Sequence, residues 1–156
     1  MDTDIPVPGD YDGDGRSDVA VLRPGTGIWY ILESGNPGSY SSIQWGLSSD
    51  IPTPGTYDAD ALTDIAVWRP TDGVWYILSG CEPGTFAATA WGTNGDKPVS
   101  GDFDGDGITD IAVWRPSTGV WYLLLSGLPG SYTAIQWGLE SDVAITPLTN
   151  ILDSIP

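Results

Sequence analysis

The chain has 156 residues, of which 21 are Asp or Glu and 5 are Lys or Arg, giving a formal charge of −16 with no histidine and one cysteine. This balance excludes imidazole catalysis, an intrachain disulfide and a thiolate zinc site, and it leaves too few cations to grip nucleic-acid phosphates. Hydrophobic residues at 40% and aromatics at 11% are too many for a disordered acidic tail, and no run of about 18 apolar residues offers membrane insertion. The length suits one domain or part of a larger one. The acidic start, Met1-Asp2-Thr3-Asp4, is no signal peptide; an exported protein would have lost its signal or be a longer chain's piece.

In chain order, the first strand is predicted over residues 5–9, followed by an Asp/Gly-rich loop and a second strand over 19–23. A turn at Pro24-Gly25-Thr26-Gly27 leads into a third strand over 28–32. Gly35-Asn36-Pro37-Gly38 then precedes a fourth over 40–45. The pattern recurs twice: Asp4, Asp50, Asp96 and Asp142 stand 46 residues apart, as do Trp45, Trp91 and Trp137. The units are therefore 4–49, 50–95 and 96–141, and a tail, 142–156, starts like a fourth unit. The tail then carries Thr149-Asn150-Ile151-Leu152 where acidic residues should stand; with Ile145 and Leu148 it could cover an end or cross to a partner. A period in this range signals a solenoid, a propeller or an array. No stretch has helical spacing, so the chain is all-β. The third strands, Ile-Trp-Tyr-Ile-Leu in the first unit, are apolar on both faces and require cover on both sides, as in a propeller of four-stranded antiparallel blades.

All 8 Trp, 7 Tyr and 2 Phe sit at repeated positions, which favours packing between blades over sugar stacking. Arg23, Arg69 and Arg115 also recur and are expected to pair with loop carboxylates and brace the sheet. Cys81 replaces a turn glycine and is expected to be exposed.

The acidic loops carry the chemistry. Residues 10–18 and 102–110 both read D-x-D-G-D-G-x-x-D, placing carboxylates at loop positions one, three, five and nine. Their mutual repulsion would open the loop, and a hard cation with six to eight oxygen ligands, Ca²⁺ rather than Mg²⁺, resolves it. Metal binding is preferred to a solvated acidic turn. An EF-hand is excluded, because position twelve is Val21 or Val113 within a β-type run instead of Glu. In the middle unit Thr56 replaces the first carboxylate, and Ala59 and Ala61 replace the glycines, so a weaker site is expected there.

These loops, followed by Asp18-Val19-Ala20-Val21 or by Trp68-Arg69-Pro70, resemble the FG-GAP/VCBS repeats, the blades of integrin-α-like propellers also found in bacterial surface proteins and some fungal lectins. The resemblance covers residues 4–141. It implies Ca²⁺ ligands at Asp10, Asp12, Asp14, Arg16 (carbonyl) and Asp18, and at Asp102, Asp104, Asp106, Ile108 (carbonyl) and Asp110. Asp58, Asp60, Leu62 (carbonyl) and Asp64 match in the middle unit. The family's propellers commonly have seven blades, and three cannot close a ring. Either the chain is a fragment of a longer propeller or copies assemble into one; the expected partner is a second copy, a homodimer making six blades. The expected function is extracellular or cell-surface recognition of a glycan or protein, without catalysis or membrane insertion. The alternatives are a structural propeller attached to a secreted enzyme and a glycan-active enzyme.

Overall fold

The computed structural model describes residues 4–80, 82 and 84–145. Cys81 and the tail segment 146–156, with its Thr149–Leu152 stretch, lie outside the described residues. Twelve strands form three antiparallel four-stranded meanders, and no helix occurs among the described residues. The first blade holds β1 (Ile5–Pro6), β2 (Val19–Arg23), β3 (Ile28–Leu32) and β4 (Tyr40–Gln44). The second holds β5 (Ile51–Pro52), β6 (Ile65–Arg69), β7 (Val74–Leu78) and β8 (Phe86–Ala90); the third holds β9 (Lys97–Gly101), β10 (Asp110–Arg115), β11 (Val120–Leu124) and β12 (Thr133–Gln136).

The strands form where β-branched and aromatic residues cluster, and the turns follow Pro-x-x-Gly. Gly27, Gly73 and Gly119 adopt positive φ, and each amide closes the turn onto the carbonyl of Arg23, Arg69 or Arg115 at 2.9 Å. First strands differ between blades. The β1 pairing runs to Pro6 and is carried on by the Val7 amide, which donates to the Ala20 carbonyl at 2.9 Å, and by one bridge, Gly9 to Asp18. Pro8 sits between these bonded pairs, where its missing N–H faces away from β2, and Pro54 sits alike in the second blade. Ser100 occupies that position in the third blade, and β9 runs unbroken to Gly101.

The core lies between blades. Val7, Leu22, Trp29 and Ile31 pack against Ile65 and Val67 of the next blade, while Trp68, Trp75 and Ile77 pack against Ile111 and Val113. Burial on both faces is reached in β6, where Ile65, Ala66, Val67 and Trp68 are all buried. Two kinds of hydrogen bond stitch each junction. The Asp10 amide donates to Thr63 Oγ1 at 2.9 Å and the Thr63 amide to the Asp10 carbonyl at 2.7 Å; Thr56 and Thr109 repeat this one blade on, at the same distances. Trp45 Nε1 donates to the Tyr76 carbonyl at 3.1 Å, and Trp91 Nε1 to that of Tyr122 at 3.0 Å.

The recurrent arginines do brace the blades, but their partners differ from expectation. Arg23, Arg69 and Arg115 pair with Asp4, Asp50 and Asp96 at 2.9, 2.9 and 2.7 Å, not with the acidic loops. The antiparallel pairing of first and second strands sets each Asp opposite the end of the strand that carries the arginine. Each guanidinium also lies over a tyrosine ring, 4.3 Å from the Tyr76 centroid for Arg69. Burial opposes the charge of Asp96, yet the Arg115 guanidinium and the Thr93 amide outweigh it and hold the carboxyl below its usual range.

Candidate metal centre

The acidic loop connects the first and second strands of each blade, and its last residue anchors it. Asp18, Asp64 and Asp110 are each 1% exposed, deep enough that an unpaired carboxylate would be costly. Each is paired twice by backbone amides. Asp18 accepts from Tyr11 N at 2.8 Å and Ser34 N at 2.7 Å, Asp64 from Tyr57 N and Gly80 N, and Asp110 from Phe103 N and Ser126 N. The ninth loop position thus ties the loop to the turn between third and fourth strands. The first position folds the loop tip: Asp10 accepts from Gly13 N and Gly15 N at 2.7 and 2.9 Å, and Asp102 from Gly105 N and Gly107 N at 2.6 and 3.0 Å.

One carboxylate oxygen each from Asp10, Asp12 and Asp18 lies within 4.8 Å of the others, and the same holds for Asp102, Asp104 and Asp110. Ca–O bonds of 2.3–2.6 Å allow oxygens on one ion to be separated by up to about 5 Å, so these donor sets fit one Ca²⁺. The amide bonds leave room for it, because an ionised carboxylate offers about four lone-pair sites. When bound, the ion would neutralise facing charges and lock the loop to the third-to-fourth-strand turn.

Asp14 and Asp106, also expected as ligands, stand outside these clusters. Ser34 Oγ donates to Asp14 at 3.0 Å and Ser126 Oγ to Asp106 at 2.8 Å, drawing the fifth position aside. At the seventh position, the amides of Arg16, Leu62 and Ile108 each donate to Oδ1 of the aspartate two residues earlier, at 2.8 Å. Ser34 and Ser126 were not singled out as site residues from the sequence. Their signal was repetition, since they stand in step two units apart, in turns otherwise rich in Gly and Ser.

The middle loop gathers a different triad. Thr56 supplies no carboxylate, Gly80 stands where Ser34 and Ser126 carry a hydroxyl, and Asp60 lies with Asp58 and Asp64 within 4.8 Å, with Ser79 Oγ donating to Asp58 at 3.2 Å. Burial, then the neighbouring Asp60 carboxyl, pushes Asp58 above its ordinary value; burial does the same to Asp64, with the Asp58 and Asp60 charges adding to it. Ala61 takes φ of 65°, the left-handed conformation that Gly15 and Gly107 supply in the other loops.

Clefts open between blades beside these loops. One of about 490 Å³ between the second and third blades is lined by Tyr57, Asp58, Asp64, Phe86, Ile111 and Leu124. A counterpart of about 310 Å³ between the first and second blades is lined by Tyr11, Ile31, Ile43 and Leu78 among others.

Four-stranded antiparallel meanders, each with a carboxylate loop between its first two strands, define a propeller-blade protein with candidate metal loops. Residues 57–113, from the second acidic loop through the third and into β10, match the family model of the FG-GAP-like repeat, a repeat that forms propeller blades. No curated protein and no solved structure matches the chain. No helix among the described residues is long and apolar enough to cross a membrane.

Proposed function

We propose that the chain is a calcium-stabilised propeller module for extracellular recognition, taking a glycan or a protein segment in the clefts between its blades. One observation carries this: a three-carboxylate cluster stands in the acidic loop of every blade, and in the middle blade Asp58 and Asp64 belong both to the cluster and to the wall of the cleft of about 490 Å³. A bound Ca²⁺ would fix the loop that forms the cleft rim, leaving a mostly apolar wall with Tyr57 and Phe86 against which a sugar ring or side chain can pack. Loops this exposed suit the weak affinities of extracellular calcium modules, with Kd of about 10⁻⁴–10⁻³ M. The match to the FG-GAP-like repeat supports an extracellular setting, because such repeats are typical of extracellular proteins. The module is non-catalytic in this reading, because the clustered carboxylates all stand in repeated loops where a cation accounts for them.

The test is a glycan array probed with the folded protein in millimolar calcium and again in excess chelator. Calcium-dependent capture of a defined glycan class, left uncleaved on prolonged incubation, supports the reading. Cleavage of captured glycans would replace it with an enzyme. Absence of capture, together with absence of any protein ligand competing for the clefts, would leave a purely structural propeller.

A further inference from the structure

We propose that the two outer faces of the chain are the complementary halves of one further blade junction, and that a second copy of this chain fills both, closing a six-bladed ring. The inference goes beyond the recognition reading and does not depend on it. It starts from the two junctions inside the chain, which use the same parts 46 residues apart. A loop amide donates to a threonine hydroxyl and the threonine amide answers to the loop carbonyl; an indole N–H donates to the carbonyl of a third-strand tyrosine. The indole ring also meets an aromatic residue of the following blade, Trp45 with Phe86 at 5.6 Å between centroids and Trp91 with Tyr132 at 5.5 Å.

Advancing these parts by one blade places the donor half on the third blade, at the Asp102 amide and Trp137. Stepping back by one blade places the acceptor half on the first blade, at the Ser17 hydroxyl, the Tyr30 carbonyl and the Tyr40 ring. Serine keeps the hydroxyl that Thr63 and Thr109 use, so every position retains its chemistry.

The exposures agree with two open halves. Val19 is 69% exposed, whereas Ile65 and Ile111, its counterparts inside the junctions, are 5% and 9% exposed. Trp137 is 77% exposed, while Trp45 and Trp91 are half-buried. Trp114 Nε1 is buried with no hydrogen-bond partner among the described residues, whereas its counterpart Trp68 donates to the Trp91 carbonyl at 3.1 Å. The rim of the third blade thus lacks a bond that the covered second blade makes.

A second copy brings both halves. Two chains joined head to tail about a two-fold axis cover four open faces with two new junctions and leave none over. Six blades fall within the usual range of about 4–8, and three copies would exceed it.

Light scattering on the 156-residue chain at micromolar concentration in millimolar calcium should give twice the 16.5 kDa chain mass. Val19→Arg puts a charge on a face that is open in the single chain; it should keep the far-UV spectrum and the calcium titration of the parent but run at the single-chain mass. Trp137→Ala should raise the dissociation constant tenfold or more, as loss of an interfacial aromatic anchor does. A parent chain that is a stable monomer, a threefold mass, or a Val19→Arg variant that still doubles would each overturn the junction. A monomer that binds calcium would refute the ring and leave the metal site intact, while a doubled mass without calcium binding would do the reverse.

Discussion

Ala61 carries a strain that can be measured against its own sequence repeats. It holds φ of 65° at the loop position where Gly15 and Gly107 hold 83° and 89°. A left-handed L-residue costs roughly 1–2 kcal/mol, and replacing it by glycine returns about 0.4–1 kcal/mol of unfolded-chain freedom. Ala61 is exposed, so little packing is lost, and Ala61→Gly should stabilise the chain by about 0.5–1 kcal/mol. The reverse exchange, Gly107→Ala, isolates the same quantity: a Cβ built there meets nothing within 4 Å, and the amide bond to Asp102 survives. It should destabilise by a similar amount, about 0.5–1 kcal/mol. Urea unfolding of the three chains in excess chelator, followed by tryptophan fluorescence, measures both without the metal. At this chain length the shifts correspond to about 1–4 °C in Tm. Equal midpoints for parent and Ala61→Gly, or a Gly107→Ala chain as stable as the parent, would show that backbone strain does not set the middle loop apart.

Two further outcomes follow from the loops and the arginine pairs. Thr56→Asp combined with Ala61→Gly restores the D-x-D-x-D-G pattern, and calorimetric titration should show higher calcium affinity or one more site; a titration matching the parent would remove the account of the weaker middle loop. Asp96, 3% exposed and held below its usual range, stabilises the fold above its unfolded value near pH 4, and that contribution is lost as pH falls through the lower folded value. Asp96→Asn should therefore cost about 2 kcal/mol at neutral pH, allowing for the half-exposed arginine, and should flatten the acid limb of the stability curve measured in chelator. An acid limb of unchanged steepness would count against the pairing.

Much of the architecture was legible in the residues themselves. Val19–Arg23 and Ile28–Leu32 were predicted to the residue, because β-branched and aromatic runs end abruptly at Pro-x-x-Gly turns. The first strands were less so: an alternating Ile-Pro-Val-Pro run looks extended, but only pairing reveals that regular register ends at Pro6 and that a single bridge, Gly9 to Asp18, follows. The arginine partners were misassigned because acidic loops are the densest charge in the sequence, while Asp4, Asp50 and Asp96 reach the guanidinium only through strand register. Within the candidate site, Asp10, Asp12 and Asp18 come together as the loop spacing suggests, and Asp14 does not. Its diversion depends on the Ser34 hydroxyl, 20 residues away in another turn. Thr63 and Thr109 were likewise silent, since a threonine that stitches two blades looks like any loop threonine until the blades are placed side by side.

The central claim is that the acidic loops hold calcium and that the ion holds the loops. Thermal unfolding of the chain in excess chelator and in saturating calcium tests it most directly. At a free concentration 100 times the Kd, each occupied site adds about 2.7 kcal/mol, and that corresponds to about 5–10 °C per site at this chain length. With the loops of the first and third blades occupied, the account predicts a melting temperature clearly higher in calcium and rising with its concentration. Superimposable melting curves in chelator and calcium would contradict it.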